Sequence, residues 1–163
     1  MLVHHLNCGS MREIPPDAQT GLAPARALNH CLLVETDAGL VLVETGFGTV
    51  DLERPDHVLG QQFLGRAEPV LDSSETAIAQ VKRLGYDLGD VRHIVLTHLD
   101  LDHTGGLPDF PHATVHVHDA EYRAAMASIH PHPEHQTRYR PDHWAHHPSW
   151  ATYESRKGLS WSC

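Results

Sequence analysis

Cysteine is scarce in this 163-residue chain. Cys8, Cys31 and Cys163 are widely spaced and form no CxxC pair, which argues against a disulfide framework and against a cysteine-ligated zinc site. Basic residues are also few: 12 Lys and Arg stand against 21 Asp and Glu, a formal charge of −9. Without a basic cluster, the chain lacks the electrostatic footprint for nucleic acid or an anionic membrane. No apolar stretch approaches bilayer-spanning length. The start, Met1-Leu2-Val3-His4-His5-Leu6-Asn7, has neither the basic opening nor the apolar run of a signal peptide. A reduced, cytoplasmic protein is the resulting expectation. A GxSxG elbow is missing and no cysteine has a persuasive catalytic partner, so serine or cysteine nucleophile chemistry is disfavoured. Gly46-Phe47-Gly48 reads as a turn, outside any strand–GxGxxG–helix context.

What is present suggests one globular domain. Apolar residues make up 40% and charged residues 20%, and the length suffices to bury a core. Cys31 to Thr36 and Leu40 to Thr45 are β-rich runs around the turn Asp37-Ala38-Gly39 and predict a hairpin. Residues 46–71, rich in glycine and proline, predict a loop with one short helix. Asp72 and Glu75 have capping-box spacing ahead of Ile78, Val81 and Leu84, and Gly85 ends that helix. Val91 to Thr97 reads as a buried strand, Thr114 to His118 as another, and about Asp119 to Ser128 as an Ala-rich helix. This alternation is an α/β signature. His130 to Trp150, with four prolines and no periodicity, predicts a surface loop or lid, and residues 155–163 an irregular tail.

Histidine is the abundant residue, 16 in all. Four candidate ligands crowd into six positions after the 93–97 strand: His98, Asp100, Asp102 and His103. The first three alternate, so in extended backbone they share a side, and a turn brings His103 to them. Their carboxylates would repel and resist desolvation unless a divalent cation joined them. Imidazole with carboxylate suits zinc best, one ion or two, with iron, manganese or nickel as alternatives.

His98-Leu99-Asp100-Leu101-Asp102-His103, followed by Thr104-Gly105-Gly106, resembles the HxHxDH motif of the metallo-β-lactamase superfamily in an HxDxDH form. Glu44-Thr45-Gly46 is similar to that family's Asp-Thr-Gly. The resemblance runs from about Leu2 to Glu154 and looks closest to lactonase-like members. It implies an αβ/βα sandwich and a metal-dependent hydrolase in which water activated by the metal attacks an ester or lactone carbonyl. His98 is implied as a ligand of the first metal; Asp102 and His103 face a second, and Asp102 holds the attacking water. Asp100 stands where histidine is commoner, and Glu44 where aspartate orders the site loop. After His118 no Gly-His pair occurs, and the later aspartates are Asp119 and Asp142. The expectation is therefore the N-terminal half of the sandwich, residues 1–154, carrying half a metal site, with catalysis by the chain in doubt. Asp142, His143, His146 and His147 are candidates to replace the lost ligands, with His143 and His147 at helical spacing. A truncated inactive homologue and a His-rich metal-binding protein are the alternatives. The expected partners are a small ester or lactone and a second copy meeting an exposed half-sandwich face, with neither nucleic acid nor membrane.

Overall fold

The computed structural model describes residues 1–17, 19, 21, 23–128 and 138–154. Six strands form one sheet in chain order: β1 (Val3–Ile14), β2 (Ala25–Thr36), β3 (Gly39–Val43), β4 (Val91–Val95), β5 (Thr114–His118) and β6 (Ser149–Tyr153). The first three pair antiparallel and the last three add in parallel. Parallel neighbours need crossovers, and helices supply them. α1 (Thr49–Glu53), α2 (Pro55–Val58), α3 (Gln61–Ala67) and α4 (Ala77–Arg83) lie between β3 and β4; α5 (Leu101–Thr104) follows β4, and α6 (Asp119–Ala127) follows β5.

Period-two alternation sorts the sheet into two faces. Leu6, Leu33, Leu40, Leu42, Ile94 and Val115 point into the core, where Val81 of α4 and Ala125 of α6 cover them. Each fully buried aliphatic side chain there stabilises the fold by roughly 1.5–3 kcal/mol. Phe47, Leu59, Phe63 and Leu101 form a second cluster under the helical region after β3. The opposite face carries Val41, His93, Val95, His116 and Tyr153, which line an open groove of about 520 Å³.

The predicted hairpin is present as β2 and β3. The region 46–71 holds three short helices where one was expected. Asp72 caps a 3₁₀ turn, Ser73–Glu75, and α4 starts later, with the Thr76 hydroxyl accepting from the Ala79 amide. Glu75 is diverted from a capping box because its carboxylate accepts from the Ser10 amide at 2.6 Å and the Ser10 hydroxyl at 2.7 Å. The predicted loop or lid, His130 to Trp150, lies outside the described residues as far as 137; its described remainder is no surface loop, because His143 and Trp144 are buried in a 3₁₀ turn and β6 begins at Ser149. The predicted tail, 155–163, lies outside the described residues.

Candidate metal centre

β3 and β4 end side by side, and the chain leaving each builds the site. From β3 come Glu44, Thr45 and Gly46. The Glu44 amide donates to the Val95 carbonyl at 2.9 Å, continuing the ladder past the strand end. Its backbone is left-handed, φ 61°, a costly conformation for a residue with a side chain. The carboxylate thereby turns across to the neighbouring loop, where Oε1 accepts the Thr97 amide at 2.7 Å and Oε2 meets His103 Nδ1 at 3.1 Å. Thr45 grips the same loop: its amide and hydroxyl both donate to the His103 carbonyl, and its hydroxyl accepts the Gly106 amide. Gly46 has φ 65°, and a Cβ there would lie 2.0 Å from the Cys8 carbonyl oxygen, so this turn has room only for glycine.

From β4 come His98 to His103. Ligating atoms of Glu44, His98 and His103 lie within 4.8 Å of one another. The two imidazole centroids are 4.1 Å apart. Thr97 Oγ1 meets His98 Nδ1 at 2.7 Å, turning Nε2 outward. Two imidazoles and a carboxylate are a donor set that a zinc-like divalent cation takes, and atoms bound to one ion at about 2.0–2.2 Å can lie up to about 4.4 Å apart. The spacing fits with small adjustments. Burial alone would raise the Glu44 carboxyl, but hydrogen bonds from His103 and Thr97 hold it below its usual range. Burial likewise disfavours imidazolium at His103, and the bond to Glu44 with the charge of Asp102 raises it overall.

The four residues singled out from sequence are placed unequally. His98 and His103 converge with Glu44. Asp102 lies in the first turn of α5, with Oδ2 3.7 Å from His103 Nε2. Asp100 precedes that helix; its Oδ1 is bound by Arg138 Nε and its Oδ2 is 4.0 Å from His98 Nε2. Residues 98, 100 and 102 do not share one side as extended backbone would place them, because the strand stops at Val95 and the chain turns into α5. Glu44 joins the cluster although it was not among the ligands expected from sequence; its position after the second hairpin strand was the available signal.

The histidines after residue 140 are not gathered here. Pro141–Trp144 is a 3₁₀ turn, so the helical spacing of His143 and His147 has no helix to act on. His143 is fully buried, with Nε2 2.8 Å from Asp51 Oδ1 and Nδ1 2.8 Å from the Thr104 hydroxyl. A cleft of about 270 Å³ opens beside the cluster, lined by Phe63, Arg66, Asp100, Leu101, Asp102 and Arg138.

The metallo-beta-lactamase superfamily model matches residues 26–160. The chain belongs to the metallo-β-lactamase superfamily. A probable metallo-hydrolase of Mycobacterium tuberculosis is 49% identical over 146 residues, 90% of this chain and 43% of that protein. An N-acyl homoserine lactonase of Bacillus thuringiensis is 31% identical over 110 residues, 66% of this chain and 44% of that protein. A solved N-acyl homoserine lactone hydrolase, with N-hexanoyl-L-homoserine at its catalytic metal centre, superposes with a TM-score of 0.68 at 22% identity. It covers 97% of this chain and 61% of that one. The chain thus spans less than half the length of these curated relatives.

These findings correct the expectation of a truncated half-fold with half a site. The superfamily model spans most of the chain, and the described residues form a continuous six-stranded layer of the αβ/βα metallo-β-lactamase architecture. The Glu44, His98 and His103 cluster is intact. What stood in doubt as a missing half-site is a three-residue donor set joined across two strands, with Glu44 as the member that proximity in sequence could not reveal.

Proposed function

We propose that this chain is the metal-binding portion of a hydrolase that opens ester or lactone carbonyls. The observation that carries the reading is the convergence of Glu44, His98 and His103 at the carboxyl ends of two parallel strands, where such sheets commonly bind ligands. The similarity to lactonases and metallo-hydrolases supports the substrate class. Zinc is the favoured ion, one or two, with iron or manganese as alternatives. When bound, such an ion polarises a carbonyl oxygen and acidifies water to a pKa near about 7.

The residues around the cluster then divide the work. Glu44 fixes the His103 ring so that Nε2 faces the site. Asp102, a quarter exposed beside that nitrogen, receives the proton of the attacking water on Oδ2. Asp100 supplies a further oxygen ligand. Phe63 and Leu101 give the adjoining cleft an apolar wall for the substrate's carbon skeleton. The test is divalent-metal content and hydrolysis of an N-acyl homoserine lactone and simple esters. His98→Ala and His103→Ala should lose the ion. Asp102→Ala should keep His98 and His103 in place and lose turnover by about 10²-fold or more. Wild-type protein without bound metal, or full activity in Asp102→Ala, would refute the reading.

Two finer readings accompany it. Self-association through the uncovered sheet face is supported by the open groove around Val41, Val95 and Tyr153 and is tested by sizing; a monomer at high concentration refutes it. A reducing, cytoplasmic setting is supported by Cys8 and Cys31, both buried as free thiols, and is tested by fractionation.

A further inference from the structure

Asp100 brings a negative charge to a position where the superfamily motif more often has a neutral imidazole. The structure places a compensating cation directly on it. Arg138 Nε donates to Asp100 Oδ1, and Arg138 Nη2 lies 3.3 Å from Glu121 Oε1. The same two residues hold the backbone on either side of Asp100. Glu121 accepts the Leu99 amide at 2.9 Å, and the Arg138 carbonyl accepts the Leu101 amide at 2.9 Å. Residues 99, 100 and 101 are thus tied in succession to one Glu–Arg unit. An isolated pair this exposed, 50% for Arg138 and 32% for Asp100, would contribute little to stability. Here the pair is anchored at four points around a candidate ligand.

The division of the Asp100 oxygens gives the arrangement its chemical meaning. Arg138 takes Oδ1 and leaves Oδ2 on the side of His98 Nε2, 4.0 Å away. That separation lies within the reach of two atoms sharing one cation at about 2.0–2.2 Å each. Asp100 at −1 and Arg138 at +1 sum to the charge of a neutral histidine.

We propose that the Asp100–Arg138 pair acts as a charge-neutral surrogate for the motif's histidine: Arg138 is a positioning residue that presents Asp100 as a one-oxygen ligand and cancels its charge. The inference rests on the metal-site reading above. Exchange of one partner alone is then harmful in either direction. Arg138→Met leaves an unoriented carboxylate and an uncompensated negative charge. Asp100→His leaves a guanidinium next to a dication, opposed only by Glu121. Exchange of both restores a neutral ligand and removes the guanidinium at once, leaving Glu121 on the Leu99 amide.

The experiment is zinc affinity, read by competition with a chromophoric chelator, on the full chain and these three variants. Arg138→Met should weaken zinc by about 10–100-fold, and Asp100→His should weaken it as well. The double variant should return to within about threefold of wild type, a departure from additivity that only coupled residues produce. Arg138→Lys, which keeps the charge but loses the fork, should fall between wild type and Arg138→Met. Recovery in the double variant also shows that the chain folds without Arg138. Unchanged affinity in Arg138→Met, or effects that add in the double variant, would overturn the pairing while leaving the metal site standing. A wild-type chain that binds no zinc would overturn both.

Discussion

Removing the His143 side chain tests the support beneath the ligand loop. His143 and Asp51 are both 0% exposed, and the imidazole bridges Asp51 Oδ1 and the Thr104 hydroxyl at 2.8 Å each. Thr104 directly follows the candidate ligand His103. In His143→Ala, among the described residues, Asp51 keeps only the Gly48 amide, 2.9 Å from Oδ2, and Thr104 keeps only the Asp100 carbonyl at 3.2 Å. Stranding one member of a buried pair costs about 3–5 kcal/mol, and the vacated ring volume adds to this. Against a total stability of about 5–15 kcal/mol for a domain, that is a large share. At roughly 2–4 °C per kcal/mol for a chain of this size, the melting midpoint should fall by about 10 °C. Urea titration of metal-free protein, with Asp51→Ala and the double variant alongside, measures the effect. The double variant should cost less than the two single losses combined, because neither partner is left stranded. A loss below about 1 kcal/mol in His143→Ala, or strict additivity, would refute a buried clamp.

Gly46→Ala should destabilise the chain well beyond Gly85→Ala in urea titration. Both positions have positive φ, but at Gly46 a Cβ would meet the Cys8 carbonyl at 2.0 Å, whereas at Gly85 nothing lies within 4 Å. The Gly85 variant should lose only the roughly 1–2 kcal/mol of left-handed backbone. Glu44→Gln should weaken zinc by about 10–100-fold in chelator competition, since the amide brings no negative charge to the donor set and its single oxygen cannot serve both Thr97 and His103 as the two carboxylate oxygens do. For pH, a hydrogen bond from the Tyr86 hydroxyl, and then one from His4, holds the Glu35 carboxyl below its ordinary 4.5. Its stabilising contribution is present above that value and disappears as pH falls through the lower folded value. Melting curves from pH 7 to about 3 should therefore show Glu35→Gln less stable than wild type at neutral pH, with the gap closing at the acid end.

The ligand loop was legible because its chemistry is local: His98, Asp102 and His103 stand within six residues after a strand with an obvious apolar run. Glu44 was legible only as a loop-ordering acid. Its nearness to His98, 54 positions later, depends on the parallel pairing of Val43 with Val95, which no local pattern encodes. β1 escaped notice because its alternation breaks at two register shifts, after Asn7 and after Ser10. β6 is five residues long behind Pro148, and its place is set by β5 rather than by its own propensity. Asp72 carried a capping signal that is locally true, yet Thr76 caps α4 because Glu75 is drawn to Ser10. The His143–His147 spacing suggested a helix face. The partner that decides the matter, Asp51, lies 92 residues earlier.

The sheet is ordered as the chain is synthesised, β1 through β6 without a transposition. During translation each strand can dock on an edge that already exists, so no strand must be inserted between two settled neighbours. Glu44 emerges with β3 and waits at that edge; docking of β4 then brings His98 and His103 to it in a single event. The 138–144 segment, which carries Arg138 and His143, emerges after all of these residues. The order of the chain thus lets the donor set assemble before its outer brace closes, so that a cation could enter a nascent site formed on one side and still open on the other.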